Sequence, residues 1–181
     1  EFIKQQGVKY DFHWARYSVF AKNFADKDFL YHILIIPFTF FPNIFFGAKA
    51  AACLFAAFLY FVFFRLLKKY ANFKLIPLFL LMLLFSGPFL LAVSRTRPMV
   101  FIIALTLLYI HFLIEKRLLA VFIVVLVYTL SHVSSPLLIA FAFITEGVRY
   151  FNEREFAWKS IWVVLISMAL GTLVHPNFPN N

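Results

Sequence analysis

Charged residues are scarce in this chain. Only 14% of its 181 residues are Asp, Glu, Lys or Arg, against about a quarter in an average soluble domain. Hydrophobic residues make up 64%, and the mean hydropathy is +0.88. They form long runs without polar interruption, which a surface facing water does not tolerate. This composition excludes an ordinary soluble domain and predicts an integral membrane protein.

Three other features are missing or nearly so. The single cysteine, Cys53, lies in an apolar run, so a disulfide framework is excluded. No Asn-x-Ser/Thr sequence occurs, and the polar opening from Glu1 has no signal-peptide pattern. The chain ends in the turn-like sequence Phe178-Pro-Asn-Asn181. We therefore expect it to be an internal piece of a longer polypeptide.

Six apolar stretches predict transmembrane helices. They are Gly47–Phe64, Leu75–Val93, Pro98–Ile114, Leu118–Val133, Pro136–Val148 and Trp158–Val174. The apolar segment Ile33–Phe46 has 14 residues and two prolines, fewer than the roughly 20 residues that a span needs. It is expected to be an interfacial or re-entrant piece. The predicted fold is all-α: an outer-side segment, residues 1–46, and a single bundle of about six spans, residues 47–181.

Basic residues alternate from loop to loop. The first, third and fifth loops hold nine Lys and Arg residues, while the second and fourth loops and the tail hold two. The positive-inside rule therefore places the first group in the cytoplasm and residues 1–46 and the tail outside. This topology accounts for the net charge of +9, so no nucleic-acid partner is predicted.

The fourth and fifth stretches are short, reaching about 24 Å and about 20 Å at helical rise. The turn between them, residues 131–136, holds His132 among serines. One interpretation puts this turn below the outer surface, against protein or a wet cavity. The other has ordinary helices that extend slightly, with the turn at the interface.

The first group of candidate functional residues lies in the outer N-terminal segment. Its members are Asp11, His13, Arg16, Asp26, Asp28 and His32. Asp28 and His32 are four residues apart and would share a helix face. A carboxylate beside an imidazole can hold a metal or act as a base with its orienting partner. Asp11 competes with Asp26 and Asp28 for the role of base. A solvated polar loop is the alternative.

The second group contains Arg95, Arg97 and His132. Two arginines just before the helix that Pro98 begins are disfavoured by its dipole unless an anion is bound there. Helix N–H groups and guanidinium groups together suit a phosphate at the outer face. The alternative is that the arginines reach lipid headgroups or pair with acids of the outer segment. An ionisable group such as His132 near the membrane is a functional candidate, although a structural role beside serines fits equally well.

The order of these features resembles the GT-C-type integral membrane glycosyltransferases of bacteria. The resemblance rests on Asp11-x-His-x-x-Arg16, on Asp26-Lys-Asp28-Phe-Leu-x-His32, on Arg95-x-Arg97-Pro98 and on the closing His-Pro-Asn-Phe-Pro-Asn. It implies an enzyme of the bacterial inner or plasma membrane, active in cell-envelope polysaccharide synthesis. Such an enzyme moves a sugar from a polyprenyl-phosphate carrier to an acceptor on the outer side.

The same resemblance implies roles for the candidate residues. Asp11 would be the base or support a metal, and Asp28 and His32 would shape the same pocket; Mg²⁺ or Mn²⁺ would be the cofactor. Arg95 and Arg97, with His132, would bind the carrier phosphate. Two other readings stay open. One is a polysaccharide polymerase-like membrane protein that depends on Arg95, Arg97 and His132. The other is a transporter or a non-catalytic assembly subunit.

Overall fold

The computed structural model describes Gly7, Tyr17 and residues 25–71 and 76–179, and every regular element among them is helical. A short helix α1 is followed directly by a 3-10 helix, Ile36–Phe40, and then by seven more α-helices. In chain order the α-helices are α1 Phe29–Ile35, α2 Ile44–Tyr70, α3 Ile76–Phe85, α4 Gly87–Val93, α5 Pro98–Ile114, α6 Leu118–Ser131, α7 Pro136–Glu153 and α8 Trp158–Val174. The all-α prediction is therefore confirmed.

Local sequence explains where several helices begin. The side chain of Asn43 accepts hydrogen bonds from the backbone N–H groups of Phe45 (2.9 Å) and Phe46 (3.4 Å), which caps α2. Proline opens α5 and α7 because the first helical N–H has no partner within the helix. The second predicted span is not continuous. It breaks at Ser86, which separates α3 from α4.

Of the helices that the structure describes, α2 alone meets both the length and the composition of a membrane span. It has 27 residues and a mean hydropathy of 2.2 in its most apolar window. Three of the other predicted spans are shorter apolar helices, α5, α6 and α8. Six spans consequently remain a prediction, whereas one candidate span is a finding.

The bundle has two chemically distinct ends. We call one the histidine end; it holds residues 26–32, 94–98, 131–136 and 174–178. There the hydroxyl of Thr96 donates to the carbonyl of Ala48 (2.9 Å), which brings the start of α5 beside the start of α2. We call the other the basic end; it holds residues 65–70, 111–117 and 153–159. There the hydroxyl of Tyr70 bonds Nδ1 of His111 (2.8 Å), so α2 and α5 run parallel.

Small and polar side chains mediate the most extensive helix contact among the described residues, between α6 and α8. Gly171 of α8 lies against Thr129 of α6, and the buried Ser167 donates to the carbonyl of Phe122 (2.6 Å). Small residues let two helix backbones approach closely, as at membrane helix interfaces. This contact fixes the C-terminal ends of α6 and α8 side by side at the histidine end.

Candidate functional site

Two carboxylate–imidazole pairs lie at the histidine end. Nδ1 of His132 donates to Oδ1 of Asp28 (2.6 Å), and Nδ1 of His32 bonds Oδ2 of Asp26 (2.7 Å). Because α1 packs on α6, residues 104 positions apart in the chain meet here. We refer to these four residues as the Asp–His cluster.

The local structure explains how Asp28 is free to reach another helix. It occupies the N-cap position of α1, where an aspartate normally accepts a hydrogen bond from the first turn. Its side chain makes no such cap bond and binds His132 instead. The backbone N–H of Asp28 donates to Oδ1 of Asp26 (3.2 Å), so the two carboxylates are held in one turn.

A second layer, from the exit of α8, fixes the Asp–His cluster in place. Nε2 of His175 donates to the carbonyl of Asp26 (3.1 Å), while Nδ1 accepts from the N–H of Asn177 (3.2 Å). The side-chain oxygen of Asn177 accepts from the N–H of Asp26 (3.2 Å). A ring that donates through one nitrogen and accepts through the other is neutral, so these bonds specify the Nε2–H tautomer of His175.

The pKa values of His32 and His175 are shifted in opposite directions. The hydrogen bond to Asp26 raises the pKa of His32 above its ordinary value, against the effect of partial burial. Burial lowers the pKa of His175, and its hydrogen bond to the carbonyl of Asp26 offsets this only in part. His32 therefore favours the protonated form and His175 the neutral form.

The pair of Asp28 and His132 has the geometry of an oriented base. Their side chains are only 11% and 15% exposed, which shields the hydrogen bond from water while leaving an edge accessible. The carboxylate holds the proton on Nδ1 of His132, so Nε2 is the nitrogen that can accept a proton from a substrate. Within the described part of the chain, no group bonds that Nε2.

Two buried hydroxyl groups lie on the same elements. The side-chain oxygens of Tyr31 in α1 and Ser131 in α6 have no hydrogen-bond partner among the described residues. Burial, together with the nearby Asp28 carboxylate, raises the pKa of Tyr31 to about 12. An unpaired buried hydroxyl costs free energy, so both are available to a ligand or a water molecule at this end.

The structure changes the expected partnerships within the first group of candidates. Asp28 and His32 were expected to act together because of their four-residue spacing, but each pairs with a different residue, since Asp28 lies at the helix cap rather than within the helix.

Asp11, together with His13 and Arg16, falls outside the described residues. In the described chain no three His, Cys, Asp or Glu side chains form a metal site. The described residues therefore provide no set of ligands for the predicted Mg²⁺ or Mn²⁺.

Arg95 and Arg97 lie at the histidine end, as the sequence predicted, and both are exposed. Arg97 is the N-cap residue of α5, and no side chain caps the first N–H groups of that helix. Neither arginine forms an ion pair with a described acid. The arrangement of free N–H groups and two free guanidinium groups fits a phosphate.

Sequence reasoning assigned no role to His175 and Asn177, which entered only as part of the closing His-Pro-Asn-Phe-Pro-Asn. Both are buried, at 4% and 2% exposure, and support Asp26 across about 150 residues of chain. The sequence did contain a signal for them: a histidine and an asparagine follow directly after an apolar helix, on the side that holds the other candidates.

Comparison of the chain with protein-family models, with curated proteins and with solved structures gave no match. The functional argument therefore rests on the geometry of the site.

Proposed function

We propose that the chain is an integral membrane protein with six spans: α2, the broken pair α3 and α4, and α5 to α8. The distribution of side chains supports this proposal. Ile123 and Ile166 are half exposed, whereas Ser167 and Ala142 are fully buried. Large apolar residues outside and small or polar residues between helices suit a lipid environment.

Helix length supports a position of the Asp–His cluster below the outer surface of the membrane. With 14 residues, α6 rises about 21 Å, short of the roughly 30 Å hydrocarbon core. It begins directly after the basic residues Lys116 and Arg117, which mark the inner surface under the positive-inside rule. His132, at its far end, would thus lie below the outer surface in a protein-lined recess.

For this recess we propose glycosyl transfer from a polyprenyl-phosphate-linked sugar to an acceptor hydroxyl on the outer side. The observation that carries the proposal is the hydrogen bond between Asp28 and His132. Nε2 of His132 takes the proton of the acceptor hydroxyl as its oxygen attacks the anomeric carbon. The bond between that carbon and the carrier phosphate breaks with its electron pair on the phosphate, where Arg95, Arg97 and the α5 N-terminus stabilise the added charge.

A specific observation also favours a second candidate, a polysaccharide polymerase-like enzyme in which donor and acceptor are both lipid-linked. Both described carboxylates at the histidine end are hydrogen-bonded to imidazoles. Histidine and arginine are thereby left as the groups that face substrate, as this candidate requires. Both reactions release the carrier phosphate and use His132, Arg95 and Arg97. They differ in that the polymerase-like enzyme does not depend on the Asp28 carboxylate, and in product, which is a ladder of lengths and not a single addition.

The test is sugar transfer by the full-length protein in membranes, with a radiolabelled polyprenyl-phosphate-linked sugar as donor. His132→Gln should lower the rate by about 10²–10⁴-fold, the usual contribution of a general base. Arg97→Ala should lower it by about 10²–10³-fold if it stabilises the leaving phosphate. Lys27→Gln is the matched control, because Lys27 is exposed between the two aspartates.

The variant Asp28→Asn separates the two candidates. Loss of activity in Asp28→Asn, together with single-sugar products of the wild type, supports the transferase. Near-normal activity of Asp28→Asn, with His132→Gln and Arg97→Ala inactive and ladder products, supports the polymerase-like enzyme. Normal turnover in all three variants would reject glycosyl transfer at this site.

The membrane placement has its own test. A cysteine introduced at Thr96 should react with an impermeant maleimide from outside, and one at Lys68 should react only after permeabilisation. Labelling of the Lys68 position from outside would reverse the orientation and move the Asp–His cluster to the cytoplasm.

A further inference from the structure

A cavity lies at the basic end, away from the Asp–His cluster. It has a volume of about 570 Å³ and opens between the C-terminal parts of α2 and α5. One wall is apolar and includes Val62, Leu66 and Phe112. The hydrogen bond from Tyr70 to His111 joins the two helices beside it.

The remaining lining of the cavity is strongly basic. Among the described residues, four cationic side chains and a single carboxylate, Glu115, line it. The cations are Arg65, Lys68, Lys69 and Arg117. Glu115 is already shared, because Lys69 contacts one of its oxygens and Nε of Arg117 lies 2.9 Å from the other.

Two of the cations are not neutralised. Arg65 and Lys68 are exposed and form no ion pair with any residue in the described ranges. Topology alone explains basic residues in a cytoplasmic loop, and the dipole of α2 favours them at its C-terminus. Neither effect requires the cations to converge on a cavity that has an apolar wall.

We propose that this cavity binds the phosphate headgroup of an anionic phospholipid of the inner leaflet. The cations would bind the phosphate oxygens, and the apolar wall would contact the glycerol and upper acyl chain. Basic pockets between spans on the cytoplasmic side recognise anionic headgroups in this way. Free inorganic phosphate offers the same charge but gains nothing from the apolar wall. The proposal needs the membrane placement above but not the chemistry of the histidine end.

The experiment measures lipid binding to the full-length protein in nanodiscs. Native mass spectrometry would count the lipids retained from phosphatidylcholine discs that contain increasing fractions of phosphatidylglycerol. Wild type should retain phosphatidylglycerol in preference to phosphatidylcholine. Lys68→Gln should weaken this binding about fivefold, since each basic residue near an anionic surface contributes about that factor. Lys159→Gln removes the same charge at the same end but outside the cavity, and should leave binding unchanged.

A reciprocal variant guards against a loss caused by misfolding. Glu115→Gln removes the only carboxylate among the described residues that line the cavity, and should strengthen phosphatidylglycerol binding. Equal losses in Lys68→Gln and Lys159→Gln would show a diffuse surface effect and overturn the proposal. So would an absence of preference for phosphatidylglycerol in wild type. If sodium phosphate displaced the lipid at concentrations near those of the lipid itself, the phospholipid assignment would be wrong.

Discussion

Replacing Gly171 by alanine should destabilise the bundle at the contact between α6 and α8. A Cβ atom at this position would lie 2.8 Å from Cβ and 2.9 Å from Cγ2 of Thr129. Carbon atoms pack best at about 3.5–4.0 Å, so α6 and α8 must separate or shift. Forcing a methyl group into a packed contact costs about 1–3 kcal/mol.

A matched glycine gives the opposite expectation. Gly147, within α7, has no atom within 4 Å of the position that a Cβ would take. Gly147→Ala should therefore stabilise the helix by about 0.5–1 kcal/mol, the backbone entropy that glycine loses on folding. Both glycines lie within helices, so the entropy gain is common to both variants, and we expect them to differ by the packing cost of about 1–3 kcal/mol.

Reversible unfolding in mixed detergent micelles, followed by circular dichroism, would measure both variants. The reasoning also predicts a coupling between the two contact positions. In a Thr129→Gly background the neighbouring atoms are gone, so Gly171→Ala should cost nothing further. If Gly171→Ala were as stable as Gly147→Ala, or if its penalty persisted without the Thr129 side chain, the contact would not be the cause.

Three further predictions concern buried polar groups. Glu146→Gln leaves Arg149 without its partner and should cost about 3–5 kcal/mol in the unfolding assay; a cost below 1 kcal/mol would contradict this. Because burial lowers the pKa of His175 below 6.5, its contribution to stability is present above that pH and is lost as the pH falls through the folded-state pKa. His175→Gln should thus show a smaller drop in melting temperature than wild type between pH 7.5 and 5.5, and an equal drop would refute the assignment. Tyr31→Phe removes an unpaired hydroxyl and should be neutral or stabilising, whereas Tyr109→Phe removes a 2.7 Å bond to the carbonyl of Leu138 and should cost about 1 kcal/mol; equal costs would contradict both expectations.

The sequence predicted helices well where an apolar run coincides with a complete helix. The bounds of α5 and α8 match the predicted stretches Pro98–Ile114 and Trp158–Val174. It predicted the end of α7 poorly, because Arg149 continues the helix. An apolar run identifies the part of a helix that contacts lipid or core. The helix itself can continue through charged residues, as α7 does at Arg149, which is paired with Glu146.

The break in the second predicted span follows from a different cause. Ser86, Gly87 and Pro88 interrupt an otherwise uniform apolar run. Proline lacks the N–H that would continue the hydrogen-bond ladder, and glycine is a weak helix former. These residues indicate a helix break, but the prediction followed the hydropathy of the whole run.

The site was predictable only as a set of residues on one side. The alternation of basic loops predicted that Asp28 and His132 lie on the same side. Their pairing, however, depends on how α1 packs against α6. Local spacing favoured His32 as the partner of Asp28. A contact between positions 104 residues apart leaves no trace in a single sequence, so the helical packing decided it.

A buried ion pair at the basic end has all of its oxygens hydrogen-bonded. At the basic end, Glu146 accepts from Arg149 (2.5 Å) and from the N–H of Ala157 (3.1 Å), and Arg149 donates also to the carbonyl of Leu113 (2.8 Å). These bonds join α5, α7 and α8, so the pair acts as a structural clamp.

At the histidine end the bonding is incomplete. The buried hydroxyls of Tyr31 and Ser131 lack partners among the residues described, as does one buried oxygen of Glu115 at the basic end. Nε2 of His132, whose side chain is partly exposed, also has no described partner. Buried polar groups are nearly always hydrogen-bonded in native proteins, and leaving several unpaired in one place costs stability unless something binds there. The hydroxyls of Tyr31 and Ser131 lie on the same elements as the pair of Asp28 and His132. This proximity in the fold supports the histidine end as the location for a substrate.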